Sequence, residues 1–125
     1  MKFNSQLQSD IEKYKSYFII VEGKKDISSL KALGFQKVYS IHESSVSLKE
    51  RLEKLSLLVE KKDKVCILTD LDKKGKQLYL LIKSELSSIG GIKIDSSLRG
   101  ILLKAHLSHI EGLKKFMDKL GSQSS

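Results

Sequence analysis

The sequence predicts an α/β domain: a four-stranded, mainly parallel sheet in the order 2-1-3-4, with helices on both faces. Three observations carry this. Residues 17–21 and 65–68 are short continuous apolar runs, the composition of strands buried on both faces. Between and around them, apolar residues recur at steps of three and four, the period of a helix packed on one side. Strands that alternate with helices are joined by right-handed crossovers, which make the strands parallel. With strands one and three as neighbours and strand two outside strand one, a topological switch point falls between strands one and three.

Taken in order, Phe3, Leu7, Ile11 and Tyr14 form one helical stripe, so an N-terminal helix is expected to pack on the sheet. Strand one (17–21) follows, and Gly23 lets the chain turn. Asp26 is placed to cap a helix carrying Ile27, Leu30 and Leu33, with Gly34 as its stop. After Phe35, residues 38–41 read as strand two, and His42, Glu43, Ser44 and Ser45 as a polar loop. Ser47 and Glu50 have the spacing of a capping box ahead of a stripe of Leu48, Leu52, Leu55, Leu58 and Val59. A charged turn (61–64) leads into strand three (65–68). Residues 74–88 read as a helix with Leu78, Leu81, Ile82 and Leu86 inward, ended by Gly90 and Gly91. Residues 92–94 make a short edge strand. A helical pattern resumes over 97–120 with a break near 108–112, and 121–125 are expected to be disordered.

The chain has 125 residues, enough for one domain with a real core, which we place at 1–120. Hydrophobic residues make up 40% and charged residues 30%, as in soluble globular proteins. No apolar run approaches a membrane-spanning length and the N-terminus lacks the apolar region of a signal peptide, so a cytoplasmic protein with no membrane partner is expected. The lone cysteine, Cys66, lies in strand three and reads as a small core residue. Lys and Arg number 23 against 15 Asp and Glu, a net charge of +8, which favours a polyanionic partner, nucleic acid before membrane. There is no P-loop and no G-x-G-x-x-G, so a nucleotide cofactor is not indicated.

Strand three ends in Asp70-Leu71-Asp72, and strand one delivers Glu22 in the same way, each followed by a helix. In open α/β sheets ligands bind at the carboxyl ends of the strands, at the switch point. Glu22, Asp70 and Asp72 are therefore expected to meet there as metal ligands, the usual equipment for a Mg²⁺ ion that keeps most of its waters, with Mn²⁺ able to substitute. Like charges so close repel and favour a cation. Lys24, Lys25, Lys73, Lys74 and Lys76 flank the same crevice. An acidic, cation-binding floor rimmed with lysines suits a phosphodiester: metal neutralises the attacked phosphate and lysines hold the flanking backbone. Glu22, apart from the pair in sequence, suits a general acid or base.

The paired motifs, Val21-Glu22-Gly23-Lys24-Lys25-Asp26 and Leu68-Thr69-Asp70-Leu71-Asp72-Lys73-Lys74-Gly75, resemble the Toprim domain over about residues 17–94. That domain is shared by topoisomerases, bacterial-type primases, overcoming-lysogenization-defect nucleases and the ribonuclease that matures 5S ribosomal RNA. The resemblance implies a Rossmann-like Toprim fold. It also implies Glu22 as general acid or base, Asp70 and Asp72 as Mg²⁺ ligands, and Gly23 and Gly75 as shapers of the turns. Asp26 matches a frequent family aspartate and is equally explained as a helix cap. Where several topoisomerases carry a third acid two residues past the second Asp, this chain has Lys74, which argues against topoisomerase-like ion binding. The chain most resembles the small stand-alone Toprim proteins of archaea and bacteria and the Toprim half of the maturation ribonuclease.

The resemblance extends to an Ile-Glu pair near the C-terminal end of related small Toprim proteins, here Ile110-Glu111. This makes Glu111 either an additional acid for the crevice or a helix-surface carboxylate. His106 and His109 have no third ligand at metal spacing. His42, Ser44, Ser45 and Arg99 are either phosphate contacts or ordinary polar residues, and Phe35 and Tyr39 read as core rather than base-stacking platforms. The expected function is Mg²⁺-dependent nucleic-acid phosphodiester chemistry, as a small nuclease or a catalytic module of an RNA- or DNA-processing complex. The alternatives are a non-catalytic nucleic-acid-binding subunit that retains the acids, and a small phosphohydrolase.

Overall fold

Strand and helix alternate along the chain in the computed structural model, which describes residues 5–42 and 45–104. The elements are α1 (Ser5–Glu12), a 3-10 turn (Lys13–Ser16), β1 (Phe18–Val21), α2 (Lys24–Ala32), β2 (Lys37–Ser40) and α3 (Leu48–Ser56). They continue with β3 (Lys64–Leu68), α4 (Lys73–Ile89), β4 (Lys93–Ile94) and α5 (Ser97–Lys104). Phe3, Glu43, Ser44, His106, His109, Glu111, the expected break at 108–112 and the tail 121–125 lie outside the described residues.

The sheet has the order β2-β1-β3-β4, and every pairing is parallel. Val21 pairs with Leu68 in register, so the residues that leave β1 and β3 emerge side by side. Side chains alternate between two cores, as the pleat requires. Ile19, Val21, Cys66 and Leu68 meet Ile11, Tyr14, Leu30, Phe35, Leu98 and Leu102 from α1, α2 and α5 and the turns beside them. Phe18, Ile20, Val65 and Ile67 meet Leu52, Leu55, Ile82 and Leu86 from α3 and α4. Burial of all of β1 and of Val65–Leu68 in β3 explains their continuous apolar sequence. Tyr39 stacks on Phe18 with ring centroids 4.7 Å apart, so both Phe35 and Tyr39 belong to the packing, as expected.

Two expected inward positions are not inward. Leu58 is 53% exposed and Leu81 49% exposed. Helix α3 ends at Ser56, so its stripe stops before Leu58. On α4, Leu78, Ile82 and Leu86 fall at steps of four and occupy the face toward the sheet, which turns the neighbouring Leu81 outward. Ser47 caps α3 by accepting the Glu50 N–H at 3.1 Å. Gly90 ends α4 at φ +82°, a left-handed conformation that glycine adopts without strain.

Candidate active site at the carboxyl ends of β1 and β3

Glu22 immediately follows β1, and Thr69-Asp70 immediately follows β3. Because these strands are adjacent and in register, Glu22 reaches across, and its Oε1 accepts the Asp70 backbone N–H at 2.9 Å. Acids 48 residues apart in sequence are thereby brought to one crevice. Asp72 is the N-cap of α4, and its Oδ1 accepts the Gly75 N–H at 2.8 Å. The sequence marks Asp72 as a catalytic and metal-ligating acid and the cap goes unread, although an Asp directly before a helical pattern is the signature of one.

Gly75 is needed for close approach. A Cβ there would lie 2.5 Å from the Asp70 carbonyl carbon, and closer still to its oxygen, so the first turn of α4 packs directly on the Asp70 backbone. The buried Thr69 hydroxyl completes the junction by donating to the Gly75 carbonyl at 2.6 Å. Gly23 differs from the expectation. It is extended (φ −139°) and a Cβ would meet nothing within 4 Å, so the turn itself does not demand glycine. Asp26 sits at the third position of α2 rather than at its cap. From there its carboxylate reaches back to the Gly23 N–H at 3.4 Å, a long contact.

Arg99, on α5, holds the β3–α4 junction from the other side. Its Nη1 donates to the Thr69 carbonyl at 2.7 Å and to Thr69 Oγ1 at 2.8 Å, and its Nη2 donates to the Asp70 carbonyl at 3.0 Å. The guanidinium carbon lies 4.6 Å from the centre of the Tyr79 ring. Burial pulls Arg99 below the ordinary arginine value, opposed by Tyr79 and by the carboxylates of Glu22, Asp70 and Asp72. The sequence placed Arg99 only as a candidate phosphate contact. Its true partners lie about thirty residues away, and no local pattern announces them.

Lys24 and Lys25 open α2, and Lys73, Lys74 and Lys76 open α4. All five are exposed, and both helix N-termini lie at the crevice edge, where backbone N–H groups and lysines favour anions. His42 lines a shallow hollow with Glu22, Ile41, Val46, Leu48 and Leu78.

Among the described residues no three His, Cys, Asp or Glu side chains gather around one point as a metal cage would require. Mg²⁺ asks for less: one or two carboxylates, with water completing its octahedron. The hard oxygen donors of Asp70, Asp72 and Glu22 fit that reduced form. One oxygen each of Glu22 and Asp72 is already committed to a backbone N–H.

A parallel 2-1-3-4 sheet with a glutamate after strand one and D-x-D after strand three defines a class, and comparison with known proteins agrees. Residues 18–97 match the Toprim domain, and the chain belongs to that family. Toprim domains in general bind Mg²⁺ and serve nucleic-acid-related, metal-dependent activities. Its relatives include the UPF0292 proteins. One from Methanosarcina barkeri is 30% identical over 122 residues, covering 92% of this chain and 80% of that protein. Another, from Pyrococcus horikoshii, is 35% identical over 96 residues, covering 77% and 68%. A solved structure of an Aquifex aeolicus protein superposes with a TM-score of 0.70 at 29% identity, covering 90% of this chain and 99% of that one. Among the described residues no helix is long and apolar enough to cross a membrane.

Proposed function

We propose that the protein carries out Mg²⁺-dependent chemistry on nucleic-acid phosphodiesters in the cytoplasm, as a small nuclease or as the catalytic module of an RNA- or DNA-processing complex. The observation that carries this reading is the 2.9 Å hydrogen bond between Glu22 and the Asp70 N–H, which joins the two motif ends into one crevice. Asp70 and Asp72 hold the hydrated ion, with Glu22 beside them as a further ligand or as general acid or base through its second oxygen. Bound Mg²⁺, or Mn²⁺ in its place, neutralises charge on the attacked phosphate. Lys24, Lys25, Lys73, Lys74 and Lys76 contact the flanking backbone, and the +8 net charge draws the polyanion in. Residues 1–120 act as one Toprim domain.

Asp72 already caps α4, and Lys74 stands where several topoisomerases have an acid. These two features favour a second reading, a nucleic-acid-binding subunit that retains the acids without turnover. Cleavage of end-labelled structured RNA and DNA in Mg²⁺ or Mn²⁺, with wild type beside Asp70→Asn and Glu22→Gln, separates the two. Both substitutions keep the backbone N–H and the acceptor shape, so the junction survives. Cutting lost in both variants supports a nuclease. Salt-sensitive binding without cutting, unchanged or tighter in the variants, refutes catalysis in the isolated protein.

A further inference from the structure

Arg99 has a use that neither core packing nor phosphate binding explains. Its fork is committed to protein: two bonds to Thr69 and one to the Asp70 carbonyl. In a trans peptide the C=O and N–H point in opposite directions, and no cis bond occurs in the described chain. The Thr69 carbonyl and the Asp70 N–H belong to one such peptide. Arg99 grips its oxygen at 2.7 Å while Glu22 accepts its hydrogen at 2.9 Å. One peptide is thus clamped between a cation and a carboxylate. The Tyr79 ring on α4 lies against the guanidinium, its centre 4.6 Å from the guanidinium carbon, and the fully buried Leu98 anchors α5 beside it.

We infer that Arg99 is a positioning residue: by holding the Thr69–Asp70 peptide from its carbonyl side it presents the Asp70 N–H to Glu22, and so fixes the Glu22 carboxylate and the Asp70 turn relative to each other. The inference rests on the reading that these acids perform the chemistry. A guanidinium is required because two donors must meet successive carbonyls in a fixed fork, which an ammonium cannot reproduce.

The test uses the ¹⁵N-labelled full chain without added metal, as wild type, Arg99→Gln and Arg99→Lys, followed by amide hydrogen exchange. The Asp70 amide should exchange about tenfold faster or more in both variants, while the amides of Ile19, Ile20 and Ile67 stay within about threefold. In the cleavage assay kcat should fall about tenfold or more with KM within about threefold, and millimolar methylguanidinium should restore part of kcat to Arg99→Ala. An unchanged Asp70 amide, or exchange that rises uniformly across the sheet, overturns the inference. So does an unchanged kcat in a protein whose cleavage depends on Asp70. If wild type does not cleave at all, the catalytic reading fails, and the Asp70 amide still decides whether Arg99 positions this peptide.

Discussion

Replacing Gly75 with alanine should damage the protein although it places a better helix former inside a helix. The added Cβ lies 2.5 Å from the Asp70 carbonyl carbon and 3.0 Å from its Cα, and backbone cannot swing aside as a side chain can. Restoring ordinary contact moves the first turn of α4 away from Asp70 by about 1 Å or more. That displacement strains the Thr69 hydroxyl bond to the Gly75 carbonyl and the Asp72 cap on the Gly75 N–H. Overpacking costs about 1–3 kcal/mol and a weakened cap about 1 kcal/mol, against a propensity gain of about 1 kcal/mol. The net is a loss of roughly 1–3 kcal/mol, or about 3–15 °C in Tm for a domain of this size. Gly100 in α5 is the internal control. A Cβ there meets nothing within 4 Å, so Gly100→Ala should stabilise by about 0.5–1 kcal/mol. Thermal and urea unfolding of the two variants beside wild type checks both signs. A Gly75→Ala protein that melts within about 2 °C of wild type would show that the α4 turn yields freely, and the account of Gly75 as a close-packing position would be wrong.

Three further outcomes follow from other parts of the molecule. Burial alone would push the Asp63 carboxyl up, but hydrogen bonds from Lys37 Nζ and the Glu60 N–H, with the charge of Lys37, hold it below the ordinary aspartate value. Its stabilisation is therefore present above about pH 4 and lost as pH falls through the lower folded value. Asp63→Asn should cost about 1–2 kcal/mol at pH 7, a gap that narrows in urea titrations as pH falls below about 4. Burial pushes the Cys66 thiol up to about 12, so thiol reagents at pH 8 should label it only as fast as the fold opens, and labelling should track the unfolding curve in urea. If nucleic acid lies across the α4 N-terminus, the double variant Lys73→Ala, Lys74→Ala should lower the slope of log K against log salt by about 1–2; an unchanged slope would place the contacts elsewhere.

The two central strands were legible because burial leaves a continuous apolar run, and crossover geometry then limits the arrangements. The match of Val21 with Leu68 follows from that order, and with it the meeting of Glu22 and Asp70. Legibility failed where the answer depends on where a helix stops or which neighbour wins a face. Leu58 lies past the last turn of α3, and Leu81 loses the inward face to Ile82. It failed again where a residue acts through the backbone of a distant element. The partners of Arg99 are set by how α5 packs against the end of β3, which is a property of the assembled fold. The resemblance implies Gly75 as a shaper of the turn; the structure has it as the third residue of α4, where the helix approaches the Asp70 backbone too closely for a Cβ.

These contacts bear on how a crowded acidic floor holds together. Glu22 and Asp70 emerge side by side from β1 and β3, and like charges so placed repel one another. Here Glu22 Oε1 and Asp72 Oδ1 each accept a backbone N–H, and a half-buried guanidinium stands behind the Asp70 turn. Each bond offsets part of the repulsion and ties one acid to the rigid ends of β3 and α4. Each of these bonds uses one oxygen of its carboxylate, so the second oxygens of Glu22 and Asp72 would be the ones to face an ion. A hydrated ion held through those two oxygens would break neither bond and would leave coordination positions for a phosphate. If the proposed phosphodiester chemistry holds, an ion bound through so few protein oxygens would be retained in part by the phosphate it contacts. On this account apparent metal affinity should rise when a non-cleaved oligonucleotide is present, and equal Mn²⁺ affinity with and without it in calorimetry would contradict the account.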